Sequence, residues 1–211
     1  GVAFITVDGA EGGTHAAAPI LEDDLGLPTI YAVARAAKFL AKHGETGQTS
    51  LIATGGLVTP GDALKAMALG ADAVYMGTAV MMALVGDQAT KAMPFEPPTS
   101  LVVYNAKMTD QLDIERGTDN LVNFLNAAVK EMELACYSLG RNSLSEVSAE
   151  DLCALDPFVA KATGVELGYV APEEQDEFFR ETANLAEGVP VPPPRSWQHE
   201  REAPEDEPLT H

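Results

Sequence analysis

Basic side chains are scarce in this chain: 13 lysines and arginines stand against 32 aspartates and glutamates, a formal net charge of −19 over 211 residues. Binding to nucleic acid or to an anionic membrane surface draws on counterion release by clustered Lys and Arg, so this balance argues against both partners. Cysteine is nearly absent as well. Cys136 and Cys153 are too few and too far apart for a metal ligand set, and they read as reduced, half-buried thiols of a cytoplasmic protein. No apolar run reaches the length of a membrane-crossing helix, and no basic segment opens the chain as in a secretory signal.

What is present is enough apolar material, 46% of residues, to bury a core for one domain with appendages. Val2 to Val7 is almost continuously apolar, the pattern of a parallel strand covered on both faces. It follows Gly1 with no lead-in, so the chain is expected to be a fragment of a longer one. The glycine-rich loop Asp8-Gly-Ala-Glu-Gly-Gly-Thr-His15 comes next. From Pro28, the helical spacing of Ile30, Val33, Ala37 and Leu40 predicts a helix that stops at Gly44.

A second strand is expected over Leu51–Thr54. Thr59-Pro60-Gly61-Asp62 then opens a helix: Thr59 can cap, Pro60 needs no N–H partner at the first position, and Asp62 suits the positive helix end. Leu64, Met67 and Ala68 give it an apolar face, and Gly70 ends it. Ala71 to Met76 is the third expected strand, and a helix begins near Thr78. Strands alternating with helices through short links form a parallel α/β sheet.

Glycines stand at two consecutive strand ends, Gly55-Gly56 and Gly77. Backbone N–H groups can approach a phosphate closely where no Cβ intervenes, which suits such positions. Glycines there also serve as plain strand-to-helix turns, and both readings stand at this point.

Beyond Gly86 the repeat gives way to the stiff connection Met93-Pro-Phe-Glu-Pro-Pro98. A long amphipathic helix is expected next, capped by Thr118 or Asp119 and ended by Gly140, with Leu121, Leu125, Ala128, Met132, Ala135 and Leu139 on one stripe. Ser148-Ala-Glu-Asp151 has the form of a capping box, and Asp156-Pro157 starts another short helix. From Glu173 onward eleven acids stand against three bases among many prolines, the composition of a solvated or disordered tail.

The segments Gly9-Ala-Glu-Gly-Gly-Thr14, Thr54-Gly-Gly-Leu-Val-Thr-Pro-Gly-Asp62 and Leu69-Gly-Ala-Asp-Ala-Val-Tyr-Met-Gly-Thr78 together resemble the FMN-binding glutamate synthase family. The resemblance is clearest over residues 1 to about 90 and looser to about 170. It implies an α/β fold, the C-terminal part of a (β/α)8 TIM barrel (about strands 6–8) with a helical C-terminal extension. A whole barrel takes about 250 residues, and three strands cannot close one. The division implied is 1–95 as barrel, 96–170 as helical extension packed on it, and 171–211 as acidic proline-rich tail.

By the same resemblance Thr54, Gly55, Gly56, Gly77 and Thr78 hold the FMN phosphate, aided by the helix N-terminus near Thr78. Gly12, Gly13, Thr14 and His15 belong to the substrate side, facing a 2-oxo acid or its imine. For His15, orienting substrate or donating a proton stands beside a plain surface or capping role. The activity implied is reduction of 2-iminoglutarate, formed from 2-oxoglutarate and ammonia, to L-glutamate, with an ammonia-supplying or electron-donating partner. Catalytic residues are expected in strands outside the chain.

Thr78 to Met93 holds no cysteine, so no iron–sulfur cluster is expected here, and no N-terminal cysteine nucleophile is present for a glutaminase. Two alternatives are an inosine monophosphate dehydrogenase-like barrel enzyme, which needs a loop cysteine that no strand here supplies, and a non-catalytic flavin-binding module.

Overall fold

Three parallel strands lie side by side in the order β1–β2–β3: Phe4–Asp8, Ser50–Thr54 and Ala73–Val74. These elements come from a computed structural model that describes residues 1–13, 18, 20, 25–91 and 99–187. Phe4 pairs with Ser50 and Asp8 with Thr54, while Ile52 pairs with Ala73 and Ala53 with Val74. Parallel neighbours cannot be joined by a hairpin, so a helix follows each strand. These are α1 (Thr29–Lys42), α2 (Pro60–Ala68) and α3 (Thr78–Val85).

The central strand carries the core. Leu51 and Ala53 are buried with Val33 and Leu40 of α1, Ala66 of α2 and Ala71. Full burial of a Leu or Val side chain stabilises by about 1.5–3 kcal/mol relative to exposure. Local sequence starts α2: the Thr59 hydroxyl accepts from the Asp62 N–H at 3.1 Å and Asp62 accepts from the Thr59 N–H at 3.0 Å, a complete capping box with Pro60 behind it. The Asp72 carboxylate accepts from the Leu51 N–H at 2.7 Å, tying the entry of β3 to β2.

Four further helices follow among the described residues: α4 (Thr99–Val102), α5 (Ile114–Ser138), α6 (Pro157–Thr163) and α7 (Gln175–Glu187). Buried Gln88 latches α5 in place. Its amide donates to the Asp113 carbonyl at 3.0 Å, and its carbonyl accepts from the Asp113 N–H at 2.9 Å and from Lys91 at 3.0 Å. Cys136 of α5 is buried with Ala68 and Val147. Asp156 caps α6 through the Phe158 and Val159 N–H groups, and Phe158 meets Tyr31 of α1 edge-on at 5.7 Å.

Several expectations are corrected. β1 is an edge strand within this chain, and Val2, Phe4 and Ile5 are exposed rather than covered on both faces. The third strand is two residues long because Ala71 still donates to Ala66 of the preceding helix end. α5 begins five residues before Asp119, with Asp113 as its cap. Gly117, no breaker there, lets α5 approach α3, since a Cβ would stand 3.1 Å from the Leu84 carbonyl oxygen. On the expected stripe Leu121, Ala128, Met132 and Ala135 are half-buried, but Leu125 and Leu139 are exposed. The cysteines are free, yet one is buried and Cys153 is exposed.

Residues 1–172 form one compact unit, and those from Glu173 on form a second. The acidic stretch from 171 does not begin as a structureless tail, because Gln175–Glu187 is helical, with Phe178 and Phe179 edge-to-face at 5.8 Å. The 93–98 connection and the stretch beyond 187 lie outside the described residues.

Candidate functional site

The carboxyl ends of all three strands open into one cavity of about 340 Å³. Its walls are Asp8, Glu11, Gly12 and Gly13 after β1; Thr54, Gly55, Gly56, Leu57 and Val58 after β2; and Tyr75, Gly77 and Thr78 after β3. In open parallel α/β sheets this end is where ligands bind. The five residues expected at a phosphate and two of the four expected at a substrate thus share one concavity. Thr14 and His15 lie outside the described residues.

Why these positions are glycine differs from site to site. Gly55 and Gly56 have φ of +105° and +66°, which side-chain-bearing residues rarely adopt. A Cβ on Gly55 would also stand 2.7 Å from the Gly9 nitrogen, and one on Gly56 would stand 2.6 Å from the Glu11 Cβ. Both glycines are therefore demanded by the packing of the two loops, whatever binds there. Gly77 is the opposite case. Its φ is −95°, open to any residue, and a Cβ there would meet nothing within 4 Å. No contact among the described residues accounts for its being glycine.

Main-chain amides and the Thr54, Tyr75 and Thr78 residues supply the donors at this face. The amides of Gly55, Gly56, Gly77 and Thr78 have no acceptor among the described residues. Gly77 is the N-cap of α3, so the unpaired first-turn amides and positive dipole end of that eight-residue helix add to the same wall. Such an arrangement suits an anion with several oxygens.

Neither Glu11 nor Thr29 is among the site residues expected from sequence. The Glu11 Oε2 accepts from the Thr29 N–H and from the Thr29 hydroxyl, each at 2.8 Å, and so caps α1 from across the loop. The Thr29 hydroxyl also reaches the Gly55 carbonyl at 2.8 Å. Burial pushes the Glu11 carboxyl up, but bonds from the Thr29 N–H, its own N–H and the Thr29 hydroxyl outweigh this and hold it below the usual range. Gly9 is glycine because a Cβ would collide with the Thr29 side chain. Asp8, Leu57, Val58 and Tyr75 are further wall residues that only the fold reveals.

The family model described as a conserved region in glutamate synthase matches residues 1–142. The archaeal-type glutamate synthase (NADPH) of Thermotoga neapolitana is 31% identical over 147 residues, 70% of this chain and 29% of that protein. The archaeal glutamate synthase (NADPH) of Methanocaldococcus jannaschii is 32% identical over 143 residues, 68% of this chain and 28% of that protein. A glutamate synthase large subunit-like protein of Rhizobium meliloti is 29% identical over 172 residues, 74% of this chain and 39% of that protein. The chain thus spans less than two fifths of the length of each of these relatives. Among solved structures, a mutant flavocytochrome b2 with benzoylformate aligns at 18% identity and a TM-score of 0.43, covering 73% of this chain and 31% of that one, a level that carries no argument.

Proposed function

Because the chain belongs to the glutamate synthase family, we propose that its strand-end cavity is the phosphate end of an FMN site in an oxidoreductase that forms L-glutamate from 2-iminoglutarate. The observation that carries this reading is Gly77: among the described residues no contact requires its glycine, and its amide, with those of Gly55, Gly56 and Thr78, lacks an acceptor. A phosphate lying against that wall needs both properties at once. The net charge of −19 does not oppose it, since acids away from the cavity are screened over about 8–10 Å and Glu11 in its wall is engaged by Thr29, which leaves Asp8 as the carboxylate nearest the anion to be offset by the amides.

In this reading Gly55, Gly56, Gly77 and Thr78 hold the phosphate through N–H groups, and the α3 dipole offsets its charge. Thr54, Gly12 and Gly13 line the same cavity, and the 2-oxo acid or imine is assigned to the Gly12, Gly13, Thr14 and His15 segment, of which Thr14 and His15 lie outside the described residues. The flavin, when bound, supplies the hydride. The chain's own contribution is to fix the cofactor relative to the substrate and to shape a walled site.

The three strands are read as the last three of a (β/α)8 barrel. Exposure of Phe4 and Ile5 on the free edge strand β1 supports a further strand beside it, supplied by sequence outside this chain. Ammonia and electrons are assigned to a partner, and no iron–sulfur ligands are proposed within the chain. A dehydrogenase working through a loop thiol is less favoured, since neither Cys136 nor Cys153 lines the cavity. No described helix is long and apolar enough to cross a membrane.

Anaerobic titration of the full-length protein with FMN, 2-oxoglutarate and ammonia tests the reading. Reoxidation of reduced flavin that needs both substrates is expected. Reoxidation by a purine nucleotide instead, or by nothing offered, would overturn it.

A further inference from the structure

A trans peptide is planar, with its N–H and C=O pointing in opposite directions. Holding a carbonyl therefore aims the next residue's amide. The Gly55 carbonyl is held by the Thr29 hydroxyl at 2.8 Å. The Gly56 N–H must then point away from Thr29. Two cavities flank this peptide. Both have Glu11, Gly55, Gly56 and Leu57 in their walls, but Thr29, Ile30 and Val33 line only the one of about 210 Å³ and not the strand-end cavity. The side away from Thr29 is the strand-end side.

Resting on the FMN reading above, we infer that Thr29 is a positioning residue that fixes the Gly55–Gly56 peptide with its N–H toward the phosphate. Glycine at both positions, which relaxes steric limits on the backbone, is what makes such a hold necessary. With neither side chain to block rotation, the peptide between them can flip and turn its carbonyl oxygen toward an anion, replacing attraction with repulsion. The hydroxyl shares one proton between its two near acceptors, Gly55 O and Glu11 Oε2, each at 2.8 Å, with the Thr54 carbonyl farther away at 3.5 Å. Glu11 also accepts the Thr29 N–H at 2.8 Å, which pins the Thr29 backbone and so the hydroxyl. Thr29 is buried at the first position of α1, and Gly9 leaves it the room to approach.

The test compares FMN with riboflavin, which differ by the phosphate alone, in the full-length protein carrying Thr29→Val or Thr29→Ser. Valine keeps the branched shape without the hydroxyl, and serine keeps the hydroxyl. In Thr29→Val we expect FMN to bind about tenfold more weakly while riboflavin changes less than about twofold, and in Thr29→Ser we expect the preference for FMN to be regained. A second readout is the Gly56 amide NMR shift on adding inorganic phosphate, expected in wild type and Thr29→Ser and lost in Thr29→Val. Equal weakening of FMN and riboflavin in Thr29→Val, or an unchanged ratio in both variants, would overturn the inference. A wild-type protein that does not prefer FMN to riboflavin would instead sink the phosphate reading beneath it.

Discussion

Replacing Gly77 by alanine separates ligand chemistry from folding at this site. The φ of −95° suits alanine, and the added methyl carbon meets nothing within 4 Å, so the fold has no steric reason to resist. Gly77 caps α3, and alanine is a poorer N-cap than glycine, so a loss of under about 1 kcal/mol is expected. Binding should respond far more. A methyl group at this wall keeps the phosphate from the amides, and a hydrogen bond to a charged group contributes about 1.5–3 kcal/mol, so FMN affinity should fall roughly tenfold to a hundredfold. Gly56→Ala should lose stability as well as binding. Alanine at a φ of +66° costs about 1–2 kcal/mol before any clash with the Glu11 side chain. Its Tm should drop by about 2–8 °C for a unit of this size. Calorimetry on both variants, beside flavin fluorescence titration of both, reads the two quantities. Gly77→Ala binding FMN as tightly as wild type would refute the reasoning.

Other variants probe the frame that carries the site. Thr59→Ala removes half the capping box at the start of α2 and should lower stability by about 1 kcal/mol in urea denaturation, while Thr59→Ser restores it. Gln88→Leu takes the partner from the Asp113 N–H, while the Asp113 carbonyl keeps the Gly117 N–H at 3.0 Å, and should cost roughly 1–2 kcal/mol despite the similar volume. The carboxyl of Asp151 is held below its usual range by bonds from Arg141 and from the Ser148 N–H. A lowered folded-state value means stabilisation that is present above the ordinary aspartate range and lost as pH falls through it. Asp151→Asn should therefore be less stable than wild type at neutral pH, with the gap closing on acidification; a gap that widens would contradict this.

The legible parts of the chain were those set by neighbours in sequence. Thr59, Pro60 and Asp62 spell their capping box within four residues, and Asp156-Pro157 does the same for α6. Gly55, Gly56 and Gly77 could be placed at one cavity because strand ends in a parallel sheet fall on one side. Contacts between distant residues were not legible. Thr29 lies 18 residues from Glu11 and 26 from Gly55, and nothing local marks it. Thr118 and Asp119 both have cap chemistry, so the sequence places the start of α5 there, whereas Asp113 caps it and Gly117 packs against the Leu84 carbonyl of α3. In Gln175–Glu187, acidic composition outweighed an amphipathic pattern that does form a helix.

The most direct measurement is a crystal structure of the full-length protein grown with FMN. Phosphate oxygens at about 2.7–3.2 Å from the Gly56 and Gly77 amide nitrogens are the result expected. Phosphate held elsewhere by lysine or arginine side chains, with those two amides facing water, would contradict the account.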